Sequence, residues 1–241
     1  AVVDLQEAAS KFAEDPVNYW FRAVIPNGGY SQEALKQRAS YGRTTTEAAP
    51  VMSISLMDQE VEAAGGAGAV KSPVGYVASN KQQLISFDFS GNTYDGRTAF
   101  LDTRGTGYDD RVLAMKDFAP AGYAQDVRAV PDVNLNGNST DLAVFLGANR
   151  LWIFNVTDPR DPLQYPSRSF EDMGLGVDFA KRMDVEDTLA YVMFTDRVVV
   201  IDFSDPARPF VSSIITGIGS NLRWMAVKDG FVYTLDSEGT T

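Results

Sequence analysis

The sequence predicts an all-β fold: a partial or complete β-propeller of four-stranded blades, with a short helical or irregular N-terminal segment. Three observations carry this. First, "LWIFNVTDPRDP" (Leu151 to Pro162) returns 47 residues later as "VVVIDFSDPARP" (Val198 to Pro209), with Asp-Pro and a further Pro kept. Second, the residues around each copy form short apolar runs separated by polar turn residues, the pattern of an all-β repeat. Third, the runs are nearly continuously apolar, so both strand faces need cover. A sandwich would leave one face of each sheet wet and show clear alternation. Blades standing face to face cover both.

Taken in order, residues 1–50 stand outside the repeat and form one predicted unit. In "DLQEAASKFAED", Leu5, Ala8, Ala9 and Phe12 share the face of a helix that Pro16 should end. "SQEALKQRAS" offers Ser31 as an N-cap. Residues 51–241 form the second unit, the blades. "EAAGGAGAVKSP" (Glu62 to Pro73) is small and flexible and reads as a loop. "PVGYVASNKQQLISFDFSGN" (Pro73 to Asn92) is a loose copy in which Gly91 stands where the others have Asp-Pro. A long insertion follows from Gly91 to Asp110, with Asp95-Gly96 as a hairpin signal.

The clear copies come next. "TDLAVFLGANRLWIFNVTDPRDP" (Thr140 to Pro162) and "DTLAYVMFTDRVVVIDFSDPARP" (Asp187 to Pro209) each predict strand, tight turn, strand and proline-closed turn. Asp205 should accept from nearby backbone N–H groups, while Pro206 ends the ladder. Pro209 suits the start of an outer strand, "FVSSIIT" (Phe210 to Thr216). "LRWMAV" (Leu222 to Val227) predicts the innermost strand of the next unit, and "DGFVYTLDSEG" (Asp229 to Gly239) a fourth copy that breaks off. With Ala1 in place of Met, this predicts a processed or cropped piece of a larger protein.

Composition narrows the function. Lys+Arg of 21 against Asp+Glu of 32 leaves a net charge of −11, a field that repels nucleic acid and anionic membrane surfaces. The apolar runs are far too short for a helix to cross a bilayer. The sequence has no Cys and no His. Thiolate nucleophiles, disulfides, Ser-His-Asp triads and His-based metal sites are therefore excluded. An acidic, cysteine-free chain fits an extracellular or cell-envelope setting.

The pattern apolar–apolar–Asp/Asn–x–Ser/Thr–Asp–Pro–x–x–Pro, carried by Leu151–Pro162 and Val198–Pro209, resembles the LVIVD repeats of bacterial and archaeal surface propellers. "GYAQDVRAV" (Gly122 to Val130) and "NLRWMAV" resemble the strand that precedes each hairpin. The likeness covers residues 112–241 well and 73–90 loosely. It implies propeller architecture and a surface location, and lends no catalytic residue.

Among candidate sites, "DVNLNGNSTD" has Asp132, Asn134 and Asn136 on alternate positions, then Gly137 and a later Asp141. These oxygens at that spacing point to calcium, with Gly137 allowing the bend that returns Asp141 to the ion. The stretch resembles the calcium loops of integrin-type FG-GAP blades, although Asp141 falls one residue late. It is not an EF-hand, since the twelfth position is Ala143 rather than Glu. The alternative is an ion-free Asn136-Gly137 turn.

"YDDR" (Tyr108 to Arg111) could serve acid–base or metal chemistry, or be solvated loop. Trp152, Trp224 and Tyr191 could line a groove, but their apolar strand runs favour core packing. Asn138-Ser-Thr and Asn155-Val-Thr match the glycosylation pattern. The expected function is therefore an extracellular or cell-surface module for adhesion, scaffolding or binding of protein or carbohydrate, with calcium as the expected ion. The alternatives are a carboxylate-only propeller enzyme acting on carbohydrate, or a domain of a larger secreted toxin or assembly protein.

Overall fold

The computed structural model describes residues 51–62, 68–79, 83–88, 112–176 and 178–237. The helical segments expected before residue 50, the Asp95-Gly96 turn and the run Tyr108–Arg111 lie outside them. The described residues are all-β, in four antiparallel sheets taken up in chain order. The first holds β1 (Val51–Glu62), β2 (Ala69–Ser79), β3 (Gln83–Asp88) and β4 (Val112–Asp117). The second holds β5 (Ala124–Leu135), β6 (Asn138–Gly147), β7 (Arg150–Asn155) and the short β8 (Leu163–Gln164) and β9 (Arg168–Ser169), both paired with β7.

The third sheet is β10 (Arg182–Glu186), β11 (Leu189–Met193), β12 (Arg197–Asp202) and β13 (Phe210–Thr216). The fourth is the pair β14 (Leu222–Lys228) and β15 (Phe231–Asp236). Apart from β9, which pairs with β7, each sheet is a meander in which a strand pairs with the one before it.

Three cores separate these sheets, each fed from both sides. Tyr76 and Leu84 meet Phe145, Trp152 and Phe154 between the first and second sheets. Leu142, Val144 and Ile153 meet Val192, Val199 and Ile201 between the second and third. Tyr191, Met193 and Val198 meet Leu222 and Met225 between the third and fourth. Alternate residues of β6 thus enter different cores, which is why its run is apolar throughout. The first strands lie closest together across the sheets, β1 beside β5, β5 beside β10, and β10 beside β14.

The 47-residue shift holds down to single hydrogen bonds. Val156 N–H donates to the Asp141 carbonyl at 2.8 Å, and Phe203 N–H to the Thr188 carbonyl at 2.9 Å. In the proline turns, Asp158 accepts from Arg160 N–H at 2.9 Å and Asp205 from Ala207 N–H at 3.1 Å, as expected of Asp205. One step earlier, Asn155 and Asp202 accept from Thr157 and Ser204 N–H.

Two expectations are corrected. Ala69 to Pro73 is strand rather than loop, paired residue by residue with β1 from Glu62 to Asp58. Composition favoured a loop, but a long partner strand supplies the ladder, and buried Ser72 donates to Asp88 at 2.5 Å. Trp152 and Tyr191 are core residues as expected, whereas Trp224 is exposed. It sits on the side of β14 that turns away from the third sheet, where no described residue buries it.

Candidate functional site

The proposed calcium ligands lie along the β5–β6 hairpin, Asn134 and Asn136 at its turn and Asp132 and Asp141 at the bulge behind it. Asn136 and Gly137 form its turn with φ of 55° and 86°, a left-handed pair that Asn-Gly adopts readily. Asn134 Oδ1 accepts from Gly137 N–H at 2.8 Å, and Asp132 Oδ1 accepts from the Ser139 hydroxyl at 3.0 Å. A bulge between Val130 and Val133 sets Asp132 itself at φ 55°. Asp141 lies opposite that bulge, and its Oδ1 accepts from Asp132 N–H at 3.0 Å.

Asp141 also faces the first sheet. Its Oδ2 accepts from Gln59 Nε2 at 2.9 Å, and the same amide donates to the Val156 carbonyl at 2.6 Å. Gln59 Oε1 takes the hydroxyl of buried Tyr76. Asp141 is therefore one end of a polar tie through the core between the first two sheets. The two carboxylates and two amides at the tip are the oxygens an ion could draw on. Among the described residues no three Asp or Glu side chains cluster in a way that would hold a metal.

Burial pushes the Tyr76 hydroxyl well above the ordinary tyrosine range, and the nearby charge of Asp141 adds to this. Once unfolded, Tyr76 loses its proton near pH 10. The folded chain keeps that proton, so above about pH 10 the unfolded state binds fewer protons and stability falls as pH rises. Urea melts at about pH 9 and about pH 11 are expected to show this fall, and Tyr76→Phe to shrink it. Equal falls in both proteins would contradict the assignment.

A second cluster, not foreseen from the sequence, runs along the first strands. Asp126 on β5 is buried and has both oxygens engaged. Oδ1 accepts from the Ser53 hydroxyl at 2.6 Å, Val127 N–H at 2.9 Å and Arg128 at 2.7 Å. Oδ2 accepts from Met183 N–H of β10 at 3.1 Å. Arg128 Nε reaches on to Asp184 Oδ1 of β10 at 3.1 Å. Asp184 Oδ2 in turn accepts from Val227 N–H of β14 at 2.8 Å. Ser53, Asp126, Arg128 and Asp184 thus stitch four sheets along one edge.

Trp152 fills a slot between the first two sheets. Its indole N–H donates to the Pro120 carbonyl at 3.1 Å, and Phe118 stacks on it at 4.6 Å. Gly122 and Gly147 form the walls, since a Cβ on either would stand 2.7 Å or 2.5 Å from the ring. The ring is enclosed, leaving no groove for a ligand.

No family model matches the chain, and no curated protein matches it. Similar solved structures include a humanized mutant of the Chaetomium thermophilum Polycomb Repressive Complex 2 bound to an inhibitor. It has a TM-score of 0.51 and 12% identity over 78% of this chain and 36% of that one. Another is Chaetomium thermophilum Raptor, with a TM-score of 0.47 and 10% identity over 80% of this chain and 14% of that one. The chain thus spans well under two thirds of either, and at such identities the likeness concerns fold alone.

Proposed function

We propose that the four sheets are blades of a β-propeller and that the chain is a non-enzymatic binding module, extracellular or at the cell envelope. It would contact protein or carbohydrate through its inter-strand loops. The observation that carries the architecture is the adjacency of β1, β5, β10 and β14. First strands side by side, with exposed β13 at the far edge of its meander, are what a radial arrangement requires. The repeated segments Leu151–Pro162 and Val198–Pro209 supply β7 and β12 with their closing turns.

The enzyme alternative needs two carboxylates converging on the inner strands. Asp126 and Asp184 stand there, but Arg128 and backbone N–H groups occupy their oxygens. That saturation supports a structural seam over a reactive pair. Incubating the chain with a panel of chromogenic glycosides and esters is expected to give no turnover, and a glycan and protein array to give saturable binding. Turnover abolished by Asp184→Asn would overturn this reading in favour of the enzyme.

Calcium at the β5–β6 tip is a proposal within the same reading. An ion there would compete with the Ser139 hydroxyl and Asp132 N–H for carboxylate oxygen. If it binds, calcium raises the thermal midpoint, a chelator reverses the rise, and Asp132→Asn loses the response. A midpoint indifferent to calcium and chelator removes the ion from the account.

A further inference from the structure

The second and third sheets each have a front that meets the next sheet and a back that meets the previous one. The register defines equivalent positions: Arg128 pairs with Val144, Asp184 with Tyr191 and Ala226 with Tyr233. On the second sheet, Val144 and Leu146 point forward and are wholly buried against the third. On the third, Tyr191 and Met193 hold those positions and are 7% and 0% exposed against the fourth. On the fourth, the same positions are Tyr233 and Leu235, 55% and 47% exposed. Trp224 stands beside Leu235 and Lys228 beside Phe231, all of them exposed. This front carries the residue types of the fronts that are covered.

The back of β1 is the matching surface. Met57, Gln59 and Val61 face inward, which leaves Ile54, Leu56, Asp58 and Glu60 exposed along the other side. Ile54 and Leu56 hold the positions that Val127 and Ala129 fill on β5, since Ser55 pairs with Tyr76 as Arg128 pairs with Val144. Val127 is among the residues that pack back onto the preceding sheet. In that register, Ile54 and Leu56 would come opposite Trp224 and Leu235. Lys228 would come near Asp58 and Glu60, so the two surfaces agree in charge as well as in apolar character.

We propose that the front of the β14–β15 sheet receives the back of β1 from a second copy of this chain. A reciprocal junction then closes a two-fold pair. This rests on the radial reading of the described sheets, whose two end faces such a ring would bring together. A glycan stacked on Trp224 and Tyr233, or an unrelated strand along β15, are the other occupants to be told apart.

The test is light scattering on the intact chain after size exclusion at micromolar concentration, with Trp224→Glu and Leu56→Glu as variants. The wild type is expected at twice 26.3 kDa, and each variant alone at the monomer mass. Mixing the two variants is expected to restore pairs, because one junction then has both its faces intact. A misfolded variant could not give that rescue. A monomeric wild type overturns the proposal, as does a pair that survives either change or is not rescued by mixing. A monomer whose end-on electron micrographs still show radial spokes defeats the pairing alone, whereas a flat stack defeats the propeller reading.

Discussion

Trp152→Ala is expected to destabilise the fold by about 3–5 kcal/mol, the range for removing a large aromatic from a core. The ring is 1% exposed and makes three kinds of contact at once. It stacks on Phe118, donates to the Pro120 carbonyl and lies against two glycines that cannot close over the space it leaves. Urea denaturation with the slope held constant would read the loss. Gly147→Ala should also destabilise, because a methyl group there overlaps the ring. In the double variant the losses should fall short of their sum, since the second change partly fills the cavity left by the first. A loss below about 1 kcal/mol for Trp152→Ala would mean that the slot is not closely packed.

Asp126→Ala is expected to cost about as much, roughly 3–5 kcal/mol, by a different route. The carboxylate is buried and answers donors from three sheets. Without it, Met183 N–H loses its acceptor, and among the described residues the Arg128 guanidinium keeps only Asp184 as a charged partner. Asp126→Asn should fall between alanine and wild type, because one oxygen can still accept. A double cycle with Arg128→Ala should return a coupling of about 0.5–3 kcal/mol. Strict additivity of the two changes would remove the seam as an energetic unit.

Local pattern was enough wherever the determinants are local. The duplicated Asp-Pro segments foretold β7, β12 and their turns, and the carboxylate bonds at Asp158 and Asp205 follow from neighbours two residues on. Long-range polar partners were not legible. Gln59 meets Val156 across 97 positions, and Asp126 meets Met183 across 57, with no fixed spacing to betray them. Asp141 shows the ambiguity best: its local spacing suggests an ion ligand, while a partner 82 positions away makes it a tie between sheets. Trp224 failed for a related reason. An apolar run announces a face that wants cover, and only the tertiary arrangement decides whether cover arrives.

The stitched edge also fixes the order of the sheets. Read from β1 onward, its side chains alternate as a hydroxyl, an anion, a cation and a second anion, each answering its neighbour. A permuted gene that set the third sheet directly after the first would bring Arg182 to the place of Asp126, leaving Ser53 without its carboxylate and Asp184 without its guanidinium. Swapping modules of this chain therefore requires carrying the seam residues along with the strands, or rewriting them together.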